Sequence, residues 1–522
     1  MTSDNQHMYK RVGMITLLTL VSRVLGAVRD LVITHIFGAG VVHDAYVVAQ
    51  TIPNVFRRLT AEGSMTLAFM PIYAEVREKY GHEGARRFAQ KALFLILIAT
   101  LLITTLGIIF SESIVYLFAS GFSQNPEKYA LTIRLTEMMF PYLILVSLVA
   151  WAMGVLNAEK YFAAPAAAPI FLNVGMIFGA VLLAQFLAVP IEALAWGMLL
   201  GGLFQILVQL PSLKSVHQSI VPIKFWGDPD IKRLLWLLAP SLFGVAVYQL
   251  NMIILRTLAS DYPDGHMTYY YIASRLTELV LGMFAFGFVT AAFPDLNKQS
   301  AQENWKEMGQ TIKFTISGAM MIIVPATVGL MAAAEPILAM LYLHGKFTVT
   351  DLYHTVTTLQ AFCLSIPAVA LIRILVPIFF SFKDTKTPVW ISVFSLISTA
   401  LLGWWWGGYW QVVGLSLGLT VGTWIQALLL YGFLRRKKQL PMSWLDLPAI
   451  MKYTITAIFM GAITYGITHL GRWDLGFTSG QNWLIFLSVL VISPSVYFGI
   501  LLILKDQHCL NIIYKIKGRF FR

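Results

Sequence analysis

Residues 92–110 read ALFLILIATLLITTLGIIF, and Arg86, Arg87 and Lys91 stand just ahead of them. The stretch carries no charge. Wound as a helix at about 1.5 Å per residue, it is as long as the ~30 Å hydrocarbon layer of a bilayer is thick. Its basic flank reads as the end that stays in the cytoplasm.

Working outward, runs of this kind recur from one end of the 522 residues to the other. Hydrophobic residues make up 57% and charged residues 12%, against roughly 25% charge in a soluble chain. No charged stretch is long enough for a separate globular domain. The reading is an all-α polytopic membrane protein of about fourteen transmembrane helices. The expected spans are 13–36, 45–70, 92–110, 131–156, 165–187, 193–213, 234–259, 269–294, 314–334, 355–381, 387–402, 412–434, 453–470 and 482–504. Lys10 and Arg11 ahead of the first run resemble a leader peptide's start. No small-residue cleavage site follows, and the run continues into Arg23 and Arg29, so it reads as a retained helix.

Loop charge tests the count. The loops after even-numbered spans hold twenty basic residues, among them Arg77, Lys91, Lys232, Lys313 and the Arg435–Lys438 cluster. The loops after odd-numbered spans hold three: Lys128, Lys346 and Arg472. The asymmetry puts both termini in the cytoplasm. It also accounts for the net charge of +12 without a nucleic-acid partner. Cys363 and Cys509 lie far apart, and the ten histidines show no metal spacing, so neither a disulfide framework nor a metal site is expected. The Trp404–Trp406 run reads as part of an interfacial aromatic belt.

An internal repeat is visible. A shift of 224 lays Tyr46 on Tyr270, Ala49 on Ala273, Gly63 on Gly287, Thr66 on Thr290, Phe69 on Phe293 and Gly121 on Gly345. The unit holds six helices, an even number, so the two halves share one orientation, as in many transporters with a path between lobes. The expected division is an N-lobe over 1–213, a C-lobe over 214–438, and helices 13 and 14 with a basic cytoplasmic tail over 439–522.

Charge inside the spans carries the chemistry. Arg23, Arg29, Arg57, Arg58, Arg134, Arg256, Arg275 and Arg373 face four acids, Asp30, Glu62, Glu137 and Glu278. Each unpaired charge at a helix centre costs about 2.5–3.5 kcal/mol on insertion scales. Pairing explains part of the set: Arg58 with Glu62 and Arg275 with Glu278 have helical spacing. Arg29 and the adjacent Asp30 are expected to point differently. Arg134 and Arg256 are expected to snorkel from outer helix ends. The rest form a ladder of arginines across the membrane, suited to phosphate or pyrophosphate, which guanidinium grips bidentately. An organic cation would want surplus carboxylates. No paired mid-membrane acids and no nucleophile–base set appears, so the chain reads as a transporter and not an enzyme.

Ser22-Arg23-Val24-Leu25-Gly26-Ala27-Val28-Arg29-Asp30, Phe37-Gly38-Ala39-Gly40, Asp44-Ala45, Pro53-Asn54-Val55-Phe56-Arg57-Arg58-Leu59 and Ala61-Glu62-Gly63 resemble the MurJ/MviN family of the multidrug/oligosaccharidyl-lipid/polysaccharide exporter superfamily. Phe140-Pro141-Tyr142, Gly154-Val155-Leu156-Asn157, Pro169 with Asn173, Tyr270 with Arg275-Leu276, Gly345-Lys346-Phe347 and Asp384-Thr385-Lys386-Thr387-Pro388 extend it over nearly the whole chain. The resemblance implies a flippase that moves lipid II, the undecaprenyl-pyrophosphate-linked peptidoglycan monomer, from the inner to the outer leaflet of the bacterial cytoplasmic membrane. It implies substrate-binding roles for Arg23, Arg29, Asp44, Asn54, Arg57, Arg58, Glu62, Arg275 and Arg373. It also implies an apolar groove for the polyprenyl tail on the two added helices, and contact with membrane lipids and cell-wall synthesis proteins. Relatives often carry Lys at the Thr51 position, Asp at Ser274 and Lys at Arg373. No cofactor is expected; the membrane potential would favour outward movement of an anion, and the sequence leaves any coupling ion open. The alternative is an exporter of another anionic lipid-linked saccharide or small molecule of the same superfamily.

Overall fold

The structure, a computed structural model, describes residues 3–58, 68–437 and 444–510. Among these residues it is helical throughout, with no strand. The chain divides into two compact units, Met1–Gly265 and His266–Arg522. The first unit holds α1 (Ser3–Phe37), α2 (Val41–Arg57), α3 (Met70–Ile109), α4 (Ser111–Phe118), α5 (Pro126–Met139), α6 (Tyr142–Ala158), α7 (Ala163–Val181), α8 (Glu192–Ser215) and α9 (Pro229–Ala259). The second holds α10 (His266–Ala301), α11 (Trp305–Ala332), α12 (Ala334–Tyr342), α13 (Val349–Cys363), α14 (Ile366–Ser381), α15 (Lys386–Arg435), α16 (Leu447–Thr468) and α17 (Gly480–Ile503). Nine stretches among the described residues are long and apolar enough to cross a bilayer, and α15 supplies two passes. The protein is a polytopic all-α membrane protein.

The repeat extends to element boundaries. Adding 224 to the bounds of α4, α5 and α6 reproduces those of α12, α13 and α14 to within one residue. α1 then corresponds to α9 and α2 to α10. Because α9 packs on α3 and α4, the compact division falls at residue 265 although the repeat begins earlier.

Three expected spans take a different form. The expected 131–156 and 355–381 spans are each two helices. α5 and α6 part at Phe140–Pro141, and α13 and α14 at Leu364–Ser365. Pro141 and Pro367 each lack the N–H a continuous helix would bond. The expected short span 387–402 instead runs to residue 409, since α15 continues through its aromatic run and breaks only at Trp410 and Gln411, the latter at φ 50°. Trp404, Trp405, Tyr409 and Trp410 are exposed; mean apolarity falls there while the helix persists. The two arms then fold back on each other. A Cβ on Gly418 would lie 2.5 Å from the Gly403 backbone, and Ser395 Oγ donates to the Gly422 carbonyl at 2.8 Å.

Small residues set the closest packing. Gly175 and Gly179 on α7 meet Gly197 and Gly201 on α8. A Cβ on Gly175 would fall 2.5 Å from Gly201 Cα, and one on Gly179 would fall 2.9 Å from Gly197 Cα. Lipid gives two apolar helices no hydrophobic reason to associate, so backbone approach and dispersion supply the attraction. α1 packs against the same α7, which brings Asn173 to Arg29.

Candidate functional site

α1 presents its two arginines differently. Arg23 is exposed and makes no ion pair with a described residue. Arg29 is buried. Its Nη2 and Nε donate to Asp30 Oδ1 at 2.7 and 3.0 Å, and its Nη1 donates to Asn173 Oδ1 at 3.1 Å. The expectation that Arg29 and Asp30 point apart is therefore corrected. The guanidinium turns back along the helix to its neighbour because α7 closes the other direction. Asn173 is itself fixed, donating Nδ2 to the Ser22 carbonyl at 3.1 Å, and Gly26 leaves the amide ordinary contact distance.

α2 carries Asp44, Asn54 and Arg57. Arg57 Nε donates to Asn54 Oδ1 at 3.1 Å, while Asn54 Nδ2 donates to the Gln50 carbonyl at 2.8 Å. Pro53 in the same helix has no N–H to offer the Ala49 carbonyl. Arg57 and Arg58 are half-buried. Glu62, the expected partner of Arg58, lies outside the described residues.

Asp44 is fully buried and accepts from Lys128 Nζ at 2.9 Å and from the Gly265 N–H at 2.8 Å. Lys128 also reaches Asp264 at 2.8 Å, with Phe122 beneath its ammonium at 4.1 Å. Sequence reasoning counted Lys128 only as one of three loop bases. Its scarcity was the available signal; its burial was not legible.

In the second unit Arg275 Nε donates to Tyr271 Oη at 3.3 Å and Nη1 to Glu278 Oε2 at 3.4 Å, both on α10. The spacing-based Arg275–Glu278 pair is present, with side chains 40% and 41% exposed. Arg373 on α14 is half-buried and makes no ion pair with a described residue. Thr51 and Ser274 bond to carbonyls of their own helices. The two arginines expected to snorkel have partners in the protein. Arg134 pairs with the buried Glu192 at 2.7 Å, and the half-buried Arg256 donates to the Val47 carbonyl at 3.3 Å. Arg134 is 62% exposed even so, so pairing and an outward-reaching stem coexist there.

Ion pairs outside the spans tie helix ends within each unit. Lys91 bonds Asp228 at 2.5 Å, and Lys437 bonds Asp384 at 3.0 Å. Burial alone would raise the pKa of Asp228. The Lys91 hydrogen bond and the Ile231 and Asp230 N–H groups outweigh it and hold the carboxyl below its ordinary value.

The second unit also contains an apolar cavity of about 1240 Å³ walled by α11, α13, α14, the second arm of α15, and α16. Met320, Val324, Leu371, Trp424 and Ile458 line it, and among the described residues Arg435 is the one charged residue of the lining. α17 contributes no lining residue. The shape and polarity suit a long apolar chain with an anionic end.

A family model described as lipid II flippase MurJ matches residues 33–481. The lipid II flippase MurJ of Burkholderia cenocepacia is 31% identical over 499 residues, covering 94% of this chain and 96% of its own length. The probable lipid II flippase MurJ of Haemophilus influenzae is 32% identical over 518 residues, covering 95% and 100%. A solved structure of lipid II flippase MurJ in an inward closed conformation shares the fold at a TM-score of 0.77 and 24% identity, covering 94% of this chain and 99% of that one. An inward-facing MATE family transporter of the MOP superfamily shares it at 0.67 and 14% identity, over 81% and 97%. The chain belongs to the MurJ family of lipid II flippases.

Proposed function

We propose that this protein moves lipid II from the inner to the outer leaflet of the bacterial cytoplasmic membrane by alternating access, with both termini in the cytoplasm. The observation that carries the reading, beside family membership, is charge left open within the spans. Arg23 is exposed and Arg373 half-buried, and neither has an ion-pair partner among the described residues. Arg57 and Arg275 also lie within the spans and bond side chains of their own helices. Such guanidiniums are costly in lipid and useful to a pyrophosphate in transit. Arg29, Arg58 and Asp44 belong to the same set, as do Asn54, which orients Arg57, and Glu62. The apolar cavity of the second unit would take the polyprenyl tail. An inside-negative potential supplies about 2.3 kcal/mol per charge per 100 mV toward outward movement of an anion.

The test is leaflet accessibility of lipid II in cells depleted of this protein. Loss of outer-leaflet precursor on depletion, restored by the wild-type chain and not by Arg23→Ala at equal membrane levels, is expected. Unchanged outer-leaflet precursor on depletion would overturn the assignment.

A further inference from the structure

We propose that Lys128 is a positioning residue of the transport cycle: it fastens the segment between α9 and α10 onto the outer face of the first unit. The proposal rests on the transport reading and orientation given above.

Lys128 lies at the start of α5 and its side chain is 3% exposed. Its ammonium lies between two carboxylates, Asp44 on α2 and Asp264 on the connecting segment, at 2.9 and 2.8 Å. Asp44 Oδ2 accepts the Gly265 N–H as well. Lys128 therefore holds the segment twice, through Asp264 directly and through the acid that binds the next backbone N–H. A few residues earlier the end of α9 and the first residue of the segment are fastened by neutral contacts. Thr257 Oγ1 donates to the Leu117 carbonyl at 2.8 Å, and the Gly121 N–H donates to Ser260 Oγ at 3.0 Å. Gly121 permits this approach, since a Cβ there would lie 2.4 Å from the Ser260 carbonyl oxygen.

The repeat provides an internal control. Under the 224 shift the α2–α5 crossing corresponds to the α10–α13 crossing of the second unit. There the tie at the corresponding place includes a neutral donor, Tyr269 Oη, bonded to Asp351 at 2.5 Å, with the Tyr269 ring stacked on His354. The first unit uses a buried ammonium whose cost is offset by two acids and the Phe122 ring, and the second acid belongs to the connecting segment. Asp264 is half exposed, 50%, so water competes for its bond. The Lys128–Asp264 half is thus the one that can open without unburying Asp44.

Hydrogen–deuterium exchange on the full chain in lipid nanodiscs tests this directly. Asp264→Asn should raise exchange of residues 258–267 about 5- to 10-fold, while α5 and α2 keep their protection. Asp264→Glu, which keeps the charge, should stay near wild type. Lys128→Met should exceed Asp264→Asn. In the leaflet assay Asp264→Asn should change transport by at least about threefold at equal membrane levels. Unchanged exchange in Asp264→Asn overturns the fastening. Exchange rising equally in α2 and α5 reduces Lys128 to a packing role and also overturns it. Altered exchange with unaltered transport overturns the role in the cycle. Because exchange is read without substrate, failure of the lipid II assignment would leave that part of the result standing and be recognised separately.

Discussion

Replacing Arg29 and Arg23 by alanine separates structural charge from working charge on one helix. Arg29→Ala removes two hydrogen bonds to Asp30, at 2.7 and 3.0 Å, and one to Asn173 at 3.1 Å. It deprives Asp30, whose side chain is 12% exposed, of its ion pair with Arg29. Breaking one partner of a buried pair costs about 3–5 kcal/mol. Arg23 is exposed and unpaired among the described residues, and truncating such a residue costs within about 0.5 kcal/mol. The gap of roughly 2.5–4.5 kcal/mol corresponds to about two to three orders of magnitude in the folded-to-unfolded ratio. The assay is thermal inactivation in detergent, read by retained monodisperse protein, alongside membrane abundance and leaflet accessibility of lipid II. Arg23→Ala should keep wild-type thermal stability and lose transport. Arg29→Ala should lose stability first. Adding Asp30→Asn removes the charge that lost this partner, so the double variant should recover at least half the lost stability. An Arg29→Ala protein that melts like wild type, or a double variant no more stable than the single, would refute this assignment of the Arg29–Asp30 pair.

Further outcomes follow from contacts already described. Gly201→Leu should destabilise the α7–α8 crossing by several kcal/mol, since a Cβ at Gly201 would lie 2.8 Å from the Leu172 carbonyl oxygen and 2.9 Å from its Cα; thermal melting reads it, with exposed Leu203→Ala as a control within about 0.5 kcal/mol. Asp228 has a depressed folded pKa, so its contribution is present above the ordinary carboxylate value and is lost as pH falls through the lower folded value. Acid sensitivity of unfolding below about pH 4 should accordingly weaken in Lys91→Ala. Single cysteines at positions 346 and 437 should react with a membrane-impermeant maleimide from opposite faces of the membrane, and labelling from one face would overturn the proposed orientation.

The all-α membrane fold could be read from the sequence because apolar length and loop charge are one-dimensional quantities. A run such as 92–110 and a basic flank need no partner to be recognised. The repeat was also readable, since Gly121 and Gly345 sit 224 apart, and the bounds of α4–α6 and α12–α14 keep the same offset. Helix breaks were less legible. Pro141 ends α5, yet Pro53 stays inside α2, because a proline's effect depends on whether neighbours satisfy the freed carbonyl.

Pairing was the least legible layer. Spacing identified Arg275–Glu278, whose partners share one helix face. It failed for Arg29, where adjacent residues meet because α7 closes off the alternative, and for Arg134 and Arg256, whose acceptors Glu192 and Val47 are distant in the chain. The same limit hid Lys128, because Asp44 lies 84 residues before it and Asp264 lies 136 after. Surplus arginine in the spans therefore overstated the charge free to meet a substrate. Arg29, Arg134 and Arg256 all have acceptors within the first unit, whereas Arg23 and Arg373 make no ion pair with a described residue. A pyrophosphate that must be released as well as bound is better served by such residues than by a guanidinium bonded on several sides within the protein, as Arg29 is. Within the spans, accessible positive charge, and not arginine count, is the quantity that transport should follow.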